Sequence, residues 1–229
     1  TIINDFGVHA ANGSLSPDNK RLYFTRCSEE NVCAIYVSTL SDGKWQIPKK
    51  LNKDINLNGY TATQPMVAMV QGDEVLFFVT DRKGGIGKLD IWHSVITVRS
   101  NKITYGKTRP VEGRVNTKGD EITPYFDSNT NTLYFSSNWH YGFGGFDVFK
   151  SYGSYKRFTE PENLGQPYNS SANEHYFSVN NDLTRGFFAS NRTGSQSSEE
   201  EICCNDIYSF KAEKPTEKKD VEVLKRFLP

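Results

Sequence analysis

The sequence predicts an all-β protein that repeats one unit at least four times, and three observations lead to this prediction. The first is residues 133–151, where an aromatic-rich strand, a glycine-rich reversal and a second strand follow one another as in a β-hairpin. The second is the recurrence of this motif in residues 22–38, 76–94 and 186–209. The third is its period, since the positions that open the second strand lie 56, 57 and 59 residues apart, at Ala34, Asp90, Asp147 and Asp206.

The segments between the hairpins repeat as well. Each contains an aromatic residue, a proline, an aliphatic residue and a final pair of a hydrophobic residue and asparagine, in residues 44–56, 105–116 and 156–169. An interior proline is tolerated best at a sheet edge, so this piece is predicted to be a short outer strand. A further strand opens near Thr63, Glu121 and Glu174. Each unit therefore holds four short antiparallel strands with no room for a helix, which is typical of a blade of a β-propeller.

The predicted blades cover residues 1–210, with repeats around 8–56, 61–116, 121–169 and 173–210. Residues 211–229 are rich in lysine and glutamate and are interpreted as a linker or tail toward a following domain. Residues 1–4 match the ends of the later linkers, so the first repeat is expected to begin in its middle. These features favour the C-terminal part of a larger propeller of about six blades, and a closed ring of four blades is the alternative.

Composition excludes some classes of partner. Lysine and arginine total 27, as do aspartate and glutamate, so no net charge points to nucleic acid or an anionic membrane. Fifteen phenylalanines and 12 tyrosines favour strands. No apolar run approaches the roughly 20 residues that span a bilayer, so no direct membrane span is expected.

Four cysteines fall into two pairs. Cys27 and Cys33 flank the reversal of the first hairpin, where opposite strands bring two sulfur atoms within reach of a disulfide. Cys203 and Cys204 are adjacent and form either a strained vicinal disulfide or free thiols. A disulfide would imply an oxidising compartment.

Three motifs resemble functional sites, but each is interpreted as a simple turn. The glycines of residues 84–88 lack the spacing and the Ser/Thr of a phosphate-binding loop. Residues 127–131 begin like a calcium loop but lack its glycine and its bidentate glutamate, so no metal and no cofactor is predicted. The recurring Asp90, Asp147 and Asp206 are interpreted as structural residues that accept backbone N–H groups at their own turns, with Arg82 and Arg192 as expected ion-pair partners.

One loop has no evident folding role. Trp139, His140, Tyr141 and Phe143 form an aromatic cluster among glycines, and exposed aromatic loops are typical binding anchors. Burial between blades is the alternative for these side chains. No sequence pattern of a serine, cysteine or metal-dependent hydrolase is present, so no catalytic residue is predicted.

The run of residues 16–25, with the later Ser-Asn-Arg and Asp-Ile-Tyr elements, resembles the WD-like propeller repeats of TolB. Residues 142–149 and 164–169 are more similar still to propellers of OmpA-family proteins of Bacteroidetes, one of which belongs to the type IX secretion machinery. The first copy departs from the pattern, with Ala34 in place of aspartate.

This resemblance implies a periplasmic, outer-membrane-associated protein whose partners are other envelope or secretion-system proteins. Peptidoglycan would be reached only through a domain that lies outside this chain. The function predicted on this basis is a non-enzymatic interaction scaffold. Two alternatives stay open: a propeller hydrolase or lyase that acts on glycans or peptides, and a glycan-binding or calcium-dependent module.

Overall fold

A computed structural model of the 229-residue chain describes residues 9–28, 32–100, 102–195 and 205–212. These residues form four antiparallel sheets that follow one another along the chain as the blades of a β-propeller. The predicted fold class is therefore confirmed. The tail from residue 213 lies outside the described residues, and the described part contains no helix long and apolar enough to cross a membrane.

Three strands recur in every blade. The inner strands are β1 (His9–Leu15), β6 (Ala62–Val70), β11 (Glu121–Asp127) and β16 (Glu174–Val179). The second strands are β2 (Arg21–Cys27), β7 (Asp73–Thr80), β12 (Thr132–Ser137) and β17 (Arg185–Ser190). The third strands are β3 (Cys33–Ser41), β8 (Asp90–Arg99), β13 (Asp147–Ser154) and β18 (Asp206–Lys211). Each inner strand contacts that of the next blade, β1 with β6, β6 with β11 and β11 with β16, so these strands lie along the propeller axis.

At the outer edge of the first three blades the structure differs from the single outer strand that the sequence predicts. Two short segments pair with the same third strand: β4 (Lys44–Trp45) and β5 (Lys49–Lys50), β9 (Lys102–Tyr105) and β10 (Arg109–Pro110), β14 (Arg157–Phe158) and β15 (Glu162–Asn163). A fully buried serine of the third strand donates to a carbonyl at the break, as Ser94 does to Gly106 at 2.9 Å. The hydroxyl thus donates a hydrogen bond to a carbonyl that has no backbone partner in the sheet at that point.

The core lies between blades, not inside any one of them. Tyr23, Ile35 and Phe78 pack between blades 1 and 2, and Phe77 stacks on Phe126 at 5.5 Å between blades 2 and 3. A third cluster around Phe177 joins blades 3 and 4. Each sheet thus buries its faces against its neighbours, which explains the continuous apolar runs of the second strands.

At the end of each of the three linkers, an asparagine side chain bonds to the backbone of the third strand of the same blade. The Ile91 N–H donates to Asn116 Oδ1 at 2.9 Å, and Asn116 Nδ2 donates back to the Ile91 carbonyl at 2.9 Å. Asn56 binds Ile35 and Asn169 binds Val148 in the same two-way manner, at 2.8 to 2.9 Å. We call these three pairs the asparagine clamps, and they explain the hydrophobic-Asn pair that ends every linker.

His93 makes stability depend on pH. Its ring is buried against Tyr155 of blade 3 at 5.0 Å, and burial, with a smaller effect of Arg109, lowers the pKa of His93 to about 4. In the unfolded chain His93 binds a proton near pH 6.5, whereas in the folded chain its ring stays neutral down to about pH 4. The free energy of unfolding is therefore expected to fall by up to about 3 kcal/mol as the pH drops from 6.5 to 4.

Urea denaturation at pH 7 and at pH 4.5 measures this dependence. A His93→Phe variant keeps a ring in the same space and should lose much of the difference between the two pH values. An equal difference in the variant and the wild-type protein would assign the effect to other groups.

Candidate functional site

Four equivalent residues of the inner strands form a ring around the axis. Asn12, Gln64, Thr123 and Tyr176 each stand at a β-bulge, where the pairing with the second strand shifts by one residue. All four adopt φ between 52° and 56°, a left-handed conformation that is uncommon for residues other than glycine. We call these residues the axial ring.

The members of the axial ring bond to one another across blades. The Thr123 N–H donates to Gln64 Oε1 at 2.7 Å. The Tyr176 side chain lies close to those of Gln64 and Asn12, which places blade 4 near blades 1 and 2. The hydrogen bond between Thr123 and Gln64 joins blades 2 and 3, so the axial ring is first of all a structural junction.

Sequence reasoning missed the axial ring because its members share no residue type. An asparagine, a glutamine, a threonine and a tyrosine occupy one structural position. The signal that could have found them is their place near the start of the aligned inner strands, followed by proline at Pro65 and Pro124.

The recurring aspartates lie at their own turns. Asp147 Oδ2 accepts the N–H groups of Phe143 at 2.7 Å and Gly144 at 3.1 Å. Asp90 Oδ2 accepts those of Ile86 and Gly87 at 2.7 and 3.2 Å. Burial raises the pKa of both carboxyl groups, and their backbone hydrogen bonds oppose that effect. The loop before Asp206 lies partly outside the described residues.

Arg82 and Arg192 do not bind these aspartates in the contacts described. The Arg82 guanidinium donates to the carbonyls of Asp54 and Ile55 and lies over Phe78 and Trp92, about 5 Å from each ring. Arg192 makes the equivalent contacts two repeats later, with the carbonyls of Pro167 and Tyr168 and the rings of Phe188 and Tyr208. Each arginine thus anchors the end of the preceding linker. Arg192 also forms an ion pair with the buried Glu174 at 3.2 Å.

Blade 3 has a different anchor. Trp139 stands where blades 2 and 4 have Arg82 and Arg192, and the next residue, His140, takes over the contacts. His140 Nε2 donates to the Val115 carbonyl at 3.0 Å, and its ring packs against Phe135 and Phe149 at 5.9 and 5.1 Å. His140 is therefore a structural residue, and shifting the anchor by one position leaves Trp139 free of any anchoring role.

Three aromatic side chains of this loop face solvent. Trp139 is 59% exposed, Tyr141 98% and Phe143 54%. We call these residues the aromatic platform. Ile86, the counterpart of Phe143 in blade 2, is also exposed. Burying such side chains against a ligand would be favourable, and none of them belongs to the three core clusters of the described residues.

Two further carboxyl groups, those of Glu121 and Glu174, are buried. Glu121 accepts the Thr117 N–H, the Thr117 hydroxyl and the Ser137 hydroxyl at 2.6 to 2.7 Å, and burial raises its pKa despite these bonds. Glu174 is held in the same way by Ser170 and Ser190. Both side chains are fully buried, so they order the turns that precede β11 and β16. In the described ranges no three His, Cys, Asp or Glu side chains form a group that could hold a metal ion.

Cys27 and Cys33 are joined by a disulfide across the end of the first hairpin. Cys203 and Cys204 lie outside the described residues. The disulfide ties together strands β2 and β3 at the loop that carries glycines in blades 2 and 3.

Comparison with solved structures shows the same fold in several enzymes. The GH93 α-L-arabinofuranosidase of Fusarium graminearum, solved with arabinobiose, matches 90% of this chain and 64% of its own with a TM-score of 0.55 and 10% identity. The α-L-arabinofuranosidase from Lactobacillus brevis matches 90% of this chain and 74% of its own with a TM-score of 0.53 and 9% identity. The α-L-arabinanase of Penicillium chrysogenum, complexed with arabinobiose, matches 80% of this chain and 56% of its own with a TM-score of 0.51 and 13% identity.

This chain thus spans between 56% and 74% of those three proteins. TolB from Acinetobacter baumannii is also a neighbour, at a TM-score of 0.47 and 12% identity over 82% of this chain and 39% of its own. No protein-family model and no curated protein matches the chain.

These findings correct the prediction of a non-enzymatic scaffold. The two arabinofuranosidases and the arabinanase, whose fold this chain shares, are glycoside hydrolases and therefore enzymes. The sequence resemblance pointed elsewhere because repeat motifs encode blade packing, which enzymes and binding proteins of this fold share. At 9% to 13% identity the likeness itself establishes the fold alone.

Proposed function

We propose that this chain acts on a carbohydrate polymer as a propeller of the glycoside hydrolase kind, with the aromatic platform as its sugar-binding surface. The observation that carries the proposal is the shifted anchor of blade 3, which leaves Trp139 exposed in the same loop as the exposed Tyr141 and Phe143. Aromatic faces pack well against the C–H groups of sugar rings, and neutral loops suit a neutral polysaccharide. The loop from Asn138 to Phe146 contains no lysine, arginine, aspartate or glutamate.

The fold likeness supports the carbohydrate class. Two of the neighbours were solved with arabinobiose, so arabinan is the first polymer to test. Hydrolysis of a glycosidic bond needs two carboxyl groups on either side of the bond. Asp90, Asp147, Glu121 and Glu174 are buried in their turns, so we assign them structural roles and assign no catalytic residue.

The test uses the full chain against arabinan, xylan and β-glucan, with binding measured by affinity electrophoresis and cleavage by release of reducing ends. The Trp139→Ala variant is expected to bind at least about tenfold more weakly, since stacked aromatic residues dominate such surfaces. Val98→Ala, another exposed apolar residue but outside the platform, serves as the matched control. Binding without cleavage would overturn the hydrolase assignment, and the absence of both would overturn the carbohydrate class.

From the sequence resemblance we also propose that the chain belongs to the propeller repeats of OmpA-family proteins of Bacteroidetes and resides in the periplasm near the outer membrane. Association with envelope or secretion-system proteins is part of the same proposal. Fractionation of the source cells tests the location, and recovery in the cytoplasm would overturn it.

A further inference from the structure

Two buried carboxyl groups occupy the same place in blades 3 and 4. In blade 3, Glu121 opens β11 opposite Ser137 of β12. In blade 4, Glu174 opens β16 opposite Ser190 of β17. Blade 2 has Ala62 at this position, yet it forms the same three central strands. The blade fold itself therefore does not require this carboxylate.

The serine opposite each carboxylate accepts the N–H of the residue two positions further along the chain. In blade 4, Ser190 Oγ accepts the N–H of the anchor Arg192 at 3.1 Å. In blade 3, Ser137 Oγ accepts the Trp139 N–H at 3.1 Å and the His140 N–H at 3.4 Å. The hydroxyl that fixes an anchoring arginine in blade 4 thus fixes the tryptophan of the aromatic platform in blade 3.

Glu121 sets the direction of the Ser137 hydroxyl. Ser137 Oγ donates to Glu121 Oε1 at 2.7 Å, so its one hydrogen points to the carboxylate. Its lone pairs are then left to accept the Trp139 N–H. A carboxylate only accepts hydrogen bonds, so the serine cannot reverse its role while this partner is present.

Glu121 also reaches Trp139 through the linker that precedes β11. The carboxylate accepts the N–H and the hydroxyl of Thr117 at 2.6 Å each, and Thr117 Oγ1 accepts the Gly119 N–H at 3.1 Å. Gly119 lies against the base of the tryptophan side chain, since a Cβ at Gly119 would stand 2.7 Å from Trp139 Cβ. One carboxylate thus orders both the turn that packs on Trp139 and the acceptor of its N–H.

We propose that Glu121 is the positioning residue of the aromatic platform, which holds Trp139 in its exposed orientation through Ser137 and through the Thr117 turn. Being fully buried, Glu121 touches no sugar itself. This inference rests on the proposed function, in which the platform binds a glycan.

Blade 4 provides a matched control. Glu174 accepts the N–H and the hydroxyl of Ser170 at 3.0 and 2.6 Å and the Ser190 hydroxyl at 2.8 Å, the same kinds of donor as in blade 3. It also forms the ion pair with Arg192. Glu174→Gln should therefore perturb its blade at least as much as Glu121→Gln perturbs blade 3, but without an effect on the platform.

The first test is Glu121→Gln in the full chain at neutral pH. A glutamine amide has one acceptor oxygen and one donor group, so it cannot accept from both the Thr117 N–H and the Ser137 hydroxyl. The Trp139 amide is expected to exchange with solvent about tenfold faster than in the wild-type protein. Binding of arabinan, measured by affinity electrophoresis, is expected to weaken about tenfold.

Glu174→Gln should leave both quantities at their wild-type values, while the exchange of the Arg192 amide increases. The Ile91 amide of blade 2, which donates to Asn116, reports in each variant that the fold is intact.

Ser137→Ala gives a second, smaller change that removes the acceptor of the Trp139 N–H and leaves Glu121 in place. It should weaken binding about tenfold by itself, and it tests the proposal even where Glu121→Gln fails to fold. Because Glu121 acts through Ser137, the double variant should bind far less than a hundredfold more weakly than the wild-type protein. Ser190→Ala is the matched control in blade 4.

Arabinan binding that is unchanged in both Glu121→Gln and Ser137→Ala would overturn the proposal. An equal loss of binding in Glu174→Gln, or independent effects that multiply to about a hundredfold in the double variant, would also overturn it, because both indicate a general loss of stability. Absence of glycan binding in the wild-type protein would overturn the proposed function, and the Trp139 exchange rates would still show, without any ligand, whether Glu121 positions this residue.

Discussion

Replacing Arg82 by alanine is expected to lower the free energy of unfolding by about 3 kcal/mol or more. The side chain is 7% exposed and donates to the Asp54 and Ile55 carbonyls and to Thr108 Oγ1. Its removal leaves buried acceptors without a donor, at about 1–3 kcal/mol for each unsatisfied group, and removes the packing over two rings. Urea denaturation measures the effect.

Lys83→Ala is the matched control for this prediction. Lys83 is the next residue in the same loop, and its side chain is exposed, so its removal should change stability by less than about 0.5 kcal/mol. Equal stability of the Arg82 and Lys83 variants would show that the anchor contributes nothing to the fold.

Gly142→Ala is expected to destabilise the protein by about 3 kcal/mol and to abolish glycan binding at the aromatic platform. A Cβ at this position would stand 1.9 Å from Asp147 Oδ2, so the carboxylate must leave the Phe143 and Gly144 N–H groups. The cost combines overpacking with the loss of charge-assisted hydrogen bonds. The loop that carries Tyr141 and Phe143 then loses its fixed shape.

Gly85→Ala separates the two effects of this change. Its Cβ would meet Asp90 Oδ2 at the same 1.9 Å, so stability should fall by a similar amount, but the platform of blade 3 is untouched. Gly13→Ala, whose Cβ would find its first neighbour at 3.5 Å, should be close to neutral. If the Gly85 variant lost binding as completely as the Gly142 variant, the platform would not be the binding surface.

The sequence was sufficient for the fold because blade packing repeats in residue type. The aspartate that opens the third strand in blades 2 to 4, the glycines before it in blades 2 and 3 and the linker asparagine of blades 1 to 3 each meet one local need, so their spacing indicates the period. The outer strands were predicted less well, since their division into two segments depends on buried serines such as Ser94 that bind across the break.

The candidate site was only partly predictable. The aromatic loop was found from its composition, but the separation of the half-buried His140 from the exposed Trp139 depends on the Val115 carbonyl, which belongs to the preceding linker. The axial ring was invisible because position along the strand, not residue type, unites its members. Contacts between distant parts of the chain carry this information, and one sequence does not display them.

The axial ring affects how cooperatively the protein unfolds. In an open row of repeats each unit touches only the units beside it, so the row melts progressively from a weak end. Here the Tyr176 side chain of the last described blade also lies close to Gln64 of the second and Asn12 of the first. Loosening blade 4 therefore costs contacts in two other blades at once, which favours a single cooperative transition over fraying from one end.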